Sequence, residues 1–141
     1  MVKTVTVDAS AATSWLFPSQ ATKAADAFLT SREPRRLIAP SVFAWEVGNQ
    51  ILRRARHGRL PLSIMLQDLR ILEVDILPPP SGEAVLTSIE TALASGLSLF
   101  DNAYLQLCAA ERAALASRDA DLLHAAHLAG VETFDLRDPS S

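Results

Sequence analysis

Four acidic residues carry the chemistry that this sequence could perform. Asp8 follows the β-branched run TVTV and stands two residues ahead of Ser10; Asp101 follows LSLF; Asp119 follows AALAS, with Ser117 before it and Asp121 after it. Glu46 lies within a helical run. Steps of three and four residues from it reach Asn49, Gln50 and Arg53, while Phe43, Val47 and Ile51 form an apolar strip. A single carboxylate at a helix start is ordinary capping, because it satisfies free backbone N–H groups and meets the positive end of the helix dipole. Several carboxylates drawn to one place need compensation, since like charges raise one another's pKa and cost stability. No Lys or Arg adjoins Asp8 or Asp101, and His57 is the only His outside the C-terminal helix. An all-oxygen set suits a hard divalent cation, Mg2+ with Mn2+ as a substitute, whereas zinc prefers His and Cys.

Whether these residues meet depends on the elements that carry them. Short strands are expected at TVTV, RLIAP, VDIL, AALAS and VETFDL. Helices alternate with them. ASAATSWLF follows the first strand, and Pro18 opens a second helix that runs through AADAFL and frays at Ser31 to Pro34. Ser41 is expected to cap a long helix through FAWEVGNQILRRARH, stopped by Gly58. Pro61 begins PLSIMLQDLRILE, Ser81 caps EAVLTSIETALAS ahead of Gly96, and two more helices cover about 99–111 and 119–129. Strands of this length alternating with helices give an α/β fold, specifically an α/β/α sandwich around a short-stranded, central parallel sheet. Ligands of such sheets bind outside the carboxyl ends of the strands where the strand order reverses. Asp8 and Asp119 should lie on that edge.

The bulk properties are those of one globular domain spanning 1–141: 141 residues, 49% hydrophobic and 21% charged. The lone Cys108 cannot form an internal disulfide, and the N-terminal apolar run is too short for a signal core or a membrane span, so a cytoplasmic location without membrane attachment is expected. The formal net charge of −3 gives no general attraction for polyanions, so contact with nucleic acid must be local. RRARHGR supplies Arg53, Arg54, Arg56 and Arg59 at a helix end, and Arg32, Arg35 and Arg36 form a smaller group. Each group is either a solvated face, favoured by the helix dipole for the first, or a set of phosphate contacts. Trp15 and Trp45 lie in apolar helical contexts and are expected in the core or an interface. His124 and His127 share a helix without a third soft ligand, which disfavours zinc. Phosphate-binding glycine motifs are absent.

Taken in order, VDASAATSWLF, IAPSVFAWEVGNQI, GLSLFDNAYLQLCA and ALASRDADLLHAAHLAGV resemble the PIN-domain family of metal-dependent ribonucleases, and most closely its VapC-type toxins. The resemblance implies hydrolysis of RNA phosphodiester bonds. Asp8 and Asp101 would hold Mg2+, Glu46 and Asp119 would bind it directly or through water, and all four would be the catalytic set. Ser10, Asn49, Ser117 and Asp121 would orient these groups or the substrate, with Arg53, Arg54, Arg56 and Arg59 available to RNA. The resemblance further implies a homodimer and a hetero-oligomer with a small VapB-type antitoxin whose C-terminal segment lies along the acidic groove. Three positions depart from the usual pattern: Phe100 where Tyr is common, Asn102 where Ala is common, and Ser117 where Thr is common. Asn102 is expected beside the metal ligand Asp101. Two other readings remain open: a solitary PIN nuclease of RNA processing, and a catalytically silent interaction module with the same fold.

Overall fold

The structure, a computed structural model, describes residues 1–139. Strand β1, Lys3–Val7, leads through α1, Ala9–Leu16, a 3-10 turn at Pro18–Gln20, and α2, Lys23–Thr30, to β2, Arg35–Ala39. Helices α3, Ser41–Arg56, and α4, Leu62–Leu72, then precede β3, Asp75–Ile76. Two more helices, α5, Gly82–Ser95, and α6, Leu99–Glu111, reach β4, Ala114–Ser117; α7, Ala120–Leu128, connects it to β5, Thr133–Asp135. The α/β alternation expected from the sequence is present throughout.

The strands form one parallel sheet in the order β3-β2-β1-β4-β5. The chain moves outward from β1 in one direction through β2 to β3, then returns to the other side of β1 for β4 and β5. Helices α1, α3 and α4 pack on one another, as do α5 with α6 and α6 with α7. Right-handed crossovers place these two groups on opposite faces of the sheet. The result is the α/β/α sandwich. Its inner strands explain their composition: Val5, Val7, Leu115 and Ala116 are fully shielded, as continuous apolar runs must be between two helical layers. Phe43, Val47 and Ile51, the apolar strip of α3, are buried against this core together with Phe17, Met65 and Tyr104.

Several local expectations are corrected. Pro18 opens only a 3-10 turn; α2 starts later, where the Thr22 hydroxyl accepts from the Ala25 N–H at 2.9 Å. Ser41 is the first residue within α3 rather than its cap, which is Pro40, held extended and making no side-chain cap bond. Pro61 likewise caps α4 from outside. VDIL and VETFDL shrink to two and three paired residues, as strands at the sheet edges. Trp45 is 79% exposed and is not a core residue. Trp15 does pack inward: its Nε1 donates to the Ala25 carbonyl at 3.0 Å and its ring stacks on Phe28. Gly96 closes α5 with φ of 75°, a left-handed conformation that costs glycine little. Among the described residues, no helix is long and apolar enough to cross a membrane.

Candidate active site

The strand order reverses between β1 and β4, so their carboxyl ends border the crevice where such sheets bind ligands. The residues there are Asp8, immediately after β1, and Ser117, Arg118 and Asp119 at the end of β4. Parallel pairing of Val7 with Ala116 brings the two ends level, and the Asp8 N–H reaches the Ala116 carbonyl at 3.4 Å.

Asp8 is only 5% exposed, and its carboxylate is held on both oxygens. Oδ1 accepts from the Ala11 N–H at 2.9 Å, which caps α1, and from Ser10 Oγ at 2.7 Å. Oδ2 accepts from Ser117 Oγ at 2.6 Å and, among the described residues, keeps one lone-pair direction without a protein donor. Burial pushes the Asp8 carboxyl up from 3.8 to about 6; the hydrogen bonds from Ser117, Ala11 and Ser10 oppose that rise, and the negative charge of Asp119 adds to it. Desolvation therefore outweighs three hydrogen bonds to the charged form.

Asp119 repeats the arrangement on α7. Its Oδ1 accepts from the N–H groups of Asp121, at 2.9 Å, and Leu122, at 3.1 Å, as a helix cap. Its own N–H donates to Ser117 Oγ at 2.9 Å. Capping and a site role are thus compatible in Asp8 and Asp119: in each, Oδ1 is turned to a helix start while Oδ2 is not used by the cap.

Asp101 is not a cap. Ser98 fills that position, its hydroxyl accepting from the Asp101 N–H at 3.1 Å, so the half-buried Asp101 carboxylate is not the group that caps the helix. Burial raises its pKa first, with the charges of Asp119 and Asp121 adding to the rise and the bond from Ser98 opposing it. Asp121 is exposed and acts on the site through that charge and through its N–H to Asp119.

Glu46 enters through Tyr104, a residue that sequence reasoning missed. The phenol of Tyr104, 1% exposed, donates to Glu46 Oε1 at 2.5 Å and thereby joins α6 to α3. Its pKa is driven far up by burial first, then by the hydrogen bond to Glu46 and the charges of Glu46 and Asp8, so it remains a phenol. One signal for it existed: Tyr104 lies three residues after Asp101 and shares its helix face. Arg118 was missed as well. Its N–H donates to Ser10 Oγ at 2.8 Å, and its guanidinium reaches the Ser10 carbonyl at 2.7 Å, Thr13 Oγ1 at 2.9 Å and Gln20 Oε1 at 2.6 Å. This clamp fastens the end of β4 to the start of α1, so that Ser10 and Ser117 stay within reach of Asp8.

Other residues singled out in the sequence have different surroundings. Asn102 does not flank the site. It is 2% exposed, and its amide turns toward α5, donating to the Ser88 carbonyl at 3.2 Å and Thr91 Oγ1 at 2.9 Å. Successive helix positions point about 100° apart, which is why neighbours Asp101 and Asn102 serve different surroundings. Asn49 is exposed on α3. Arg54 lies 3.9 Å over the Phe17 ring, with a 3.3 Å bond to Ser19, while Arg53, Arg56 and Arg59 are exposed and make no ion pair among the described residues.

Asp8, Asp101 and Asp119 therefore share one electrostatic neighbourhood, with Glu46 bound to it through Tyr104. Among the described residues, no three Asp, Glu, His or Cys side chains are gathered as a ready-made ligand group. The donors are all oxygen, two carboxyl groups are pushed toward protonation, and Asp8 Oδ2 has an unused lone pair. This chemistry fits a hard divalent cation.

A parallel α/β/α sandwich with an acidic crevice at its switch point delimits the class to which this chain belongs. The model of the PIN domain matches residues 5–128, and the chain belongs to the PIN-domain family. Among solved structures it is similar to PAE2754 from Pyrobaculum aerophilum, with a TM-score of 0.67 and 21% identity over 95% of this chain and 92% of that one. It is also similar to FitAcB from Neisseria gonorrhoeae, with a TM-score of 0.61 and 18% identity over 93% of this chain and 96% of that one. At these identities the likeness is one of fold. No curated protein matches the sequence.

Proposed function

We propose that this protein is a Mg2+-dependent endoribonuclease and the toxin component of a VapC-type toxin–antitoxin pair. The observation that carries the nuclease reading is Asp8: a buried carboxylate, held by Ser10, Ser117 and the start of α1, at the switch-point edge of a PIN-domain fold. Asp8 and Asp101 would hold the ion, with Glu46 and Asp119 binding it directly or through water; Mn2+ would substitute. When bound, such an ion lowers the pKa of water and stabilises charge on the phosphate oxygens during in-line attack. The chain's own groups supply geometry. Ser117 and Ser10 fix both oxygens of Asp8, Asp119 is fixed by the N–H groups it caps, and Tyr104 fixes Glu46. Asp121 adds negative charge beside Asp101. RNA reaches the crevice along α3, where Arg53 continues the strip begun by Glu46, Asn49 and Gln50, and Arg56 and Arg59 extend the positive charge. Arg54, packed on Phe17, serves mainly to anchor that helix.

The toxin reading rests on the resemblance of the motif sequence to VapC-type chains. It entails a homodimer and a hetero-oligomer with a small VapB-type antitoxin whose C-terminal segment lies along the acidic crevice. The action is cytoplasmic.

The test is incubation of purified protein with total RNA in Mg2+ or in chelator, followed by mapping of new 5′ ends. Ends that arise only with Mg2+ are expected. Their absence at every protein concentration would favour a catalytically silent interaction module. For the toxin, induction should arrest growth, and the product of a short upstream reading frame should relieve the arrest; cleavage without arrest or such a frame would point to a solitary PIN nuclease of RNA processing.

A further inference from the structure

Tyr104 is the only aromatic hydroxyl in the chain, and beside the backbone of Ala9 it donates to a carboxylate from across the molecule. A buried tyrosine needs a partner for its hydroxyl, and a backbone carbonyl would serve. Here the partner is Glu46, from 58 positions earlier in the sequence, on a helix of the opposite layer. A hydrogen bond to a carboxylate is shorter and stronger than a neutral one, and a tyrosine has few torsions to lose in making it. The ring is 1% exposed in the core, so the hydroxyl has little freedom to follow a wandering carboxylate. Glu46 is half-buried, and its long side chain would otherwise sample many rotamers toward solvent.

We propose that Tyr104 is a positioning residue: by holding Glu46 Oε1, it presents the remaining oxygen of Glu46 to the divalent cation shared with Asp8 and Asp101. The role rests on the nuclease reading above. Tyr104 touches neither ion nor RNA; it acts through Glu46, as groups behind metal ligands commonly do, with losses of about 10–100-fold on their removal.

The test is a double-mutant cycle of Tyr104→Phe and Glu46→Ala, read by Mn2+ affinity in titration calorimetry, by thermal melting without metal, and by kcat and KM on one RNA. Tyr104→Phe keeps the ring and removes only the hydroxyl. In the wild-type background it should weaken Mn2+ binding about 10-fold and lower kcat with KM little changed. In the Glu46→Ala background it should change Mn2+ binding by less than about two-fold, because the group it positions is gone. A loss of equal size in both backgrounds would overturn the role and assign Tyr104 to packing alone. Wild-type Mn2+ affinity in Tyr104→Phe would overturn it too. Should Tyr104→Phe melt too low to assay, Glu46→Gln gives the second route: it keeps an oxygen for the phenol but removes the charge, and wild-type Mn2+ affinity there would overturn the role. A wild-type protein that binds no Mn2+ and cuts no RNA would instead overturn the nuclease reading, and the positioning role with it.

Discussion

Ser117 Oγ donates to Asp8 Oδ2 at 2.6 Å while accepting the Asp119 N–H at 2.9 Å, so one buried hydroxyl couples the acidic residues at the ends of two neighbouring strands. The coupling depends on the parallel register of β1 and β4, which sets Val7 beside Ala116. Replacing Ser117 with Ala would leave Asp8 Oδ2 buried without its donor. A loss of about 1–3 kcal/mol is expected in chemical denaturation at pH 7. Ser117→Thr keeps the hydroxyl and should recover most of it; equal losses for Ala and Thr would show that the bond contributes nothing.

Asp8 also dictates a pH dependence. Its folded pKa, about 6, lies above the ordinary value of 3.8, so the fold binds the proton more tightly than the unfolded chain does. Stability from this group is complete below about pH 4 and is lost as pH rises through 6, amounting to about 3 kcal/mol. Asp8→Asn removes that dependence. In metal-free buffer the variant should therefore gain on the wild type as pH rises from 4 to 7. A constant difference across that range would contradict the raised pKa.

Mg2+ should reverse this trend. A cation beside the carboxylates favours their ionised form, and protons compete with it. The wild type should gain thermal stability with Mg2+ at pH 7 and much less at pH 5, whereas Asp8→Asn should gain little at either. Identical shifts in both proteins would place the ion elsewhere.

The adjacent pair Asp101 and Asn102 should separate function from stability. Asn102→Ala removes bonds to Ser88 and Thr91 and is expected to cost about 1–3 kcal/mol while leaving RNA cleavage intact below its melting point. Asp101→Asn should do the opposite, with cleavage lost and melting preserved. Denaturation curves and cleavage rates on both variants decide it.

Neutralising Arg53 and Arg56 together should flatten the salt dependence of RNA affinity by about two charges' worth of slope. Arg54→Ala should instead lower stability, since its guanidinium covers Phe17. An unchanged slope in the first variant would return these arginines to a solvated helix end.

The fold was readable in the sequence because strand and helix patterns alternate cleanly. TVTV and ALAS are too apolar to be exposed strands, and each leads into an acidic residue that starts a helix. Asp8 and Asp119 were accessible by the same logic, since residues just past the strands of a parallel sheet gather at its carboxyl edge. Helix starts at prolines were harder: Pro18 and Pro61 both present fixed φ, yet one opens only a 3-10 turn and the other stands just outside α4. The Tyr104–Glu46 bond and the Arg118 clamp span 58 and up to 108 positions. Such pairings are products of tertiary structure and leave no periodic trace. Asn102 misled for a related reason: adjacency to Asp101 in sequence is not adjacency in space on a helix.

Cleavage by Asp8→Asn bears most directly on the assignment of the acidic crevice. Purified wild type and Asp8→Asn, matched for folded fraction by circular dichroism, are to be incubated with one RNA in Mg2+ and initial rates measured. A loss of at least about 100-fold in the variant, with wild-type cleavage abolished by chelator, is expected for a carboxylate that holds the ion. Equal Mg2+-dependent rates in the two proteins would contradict the assignment of Asp8 and of the switch-point crevice as the active site.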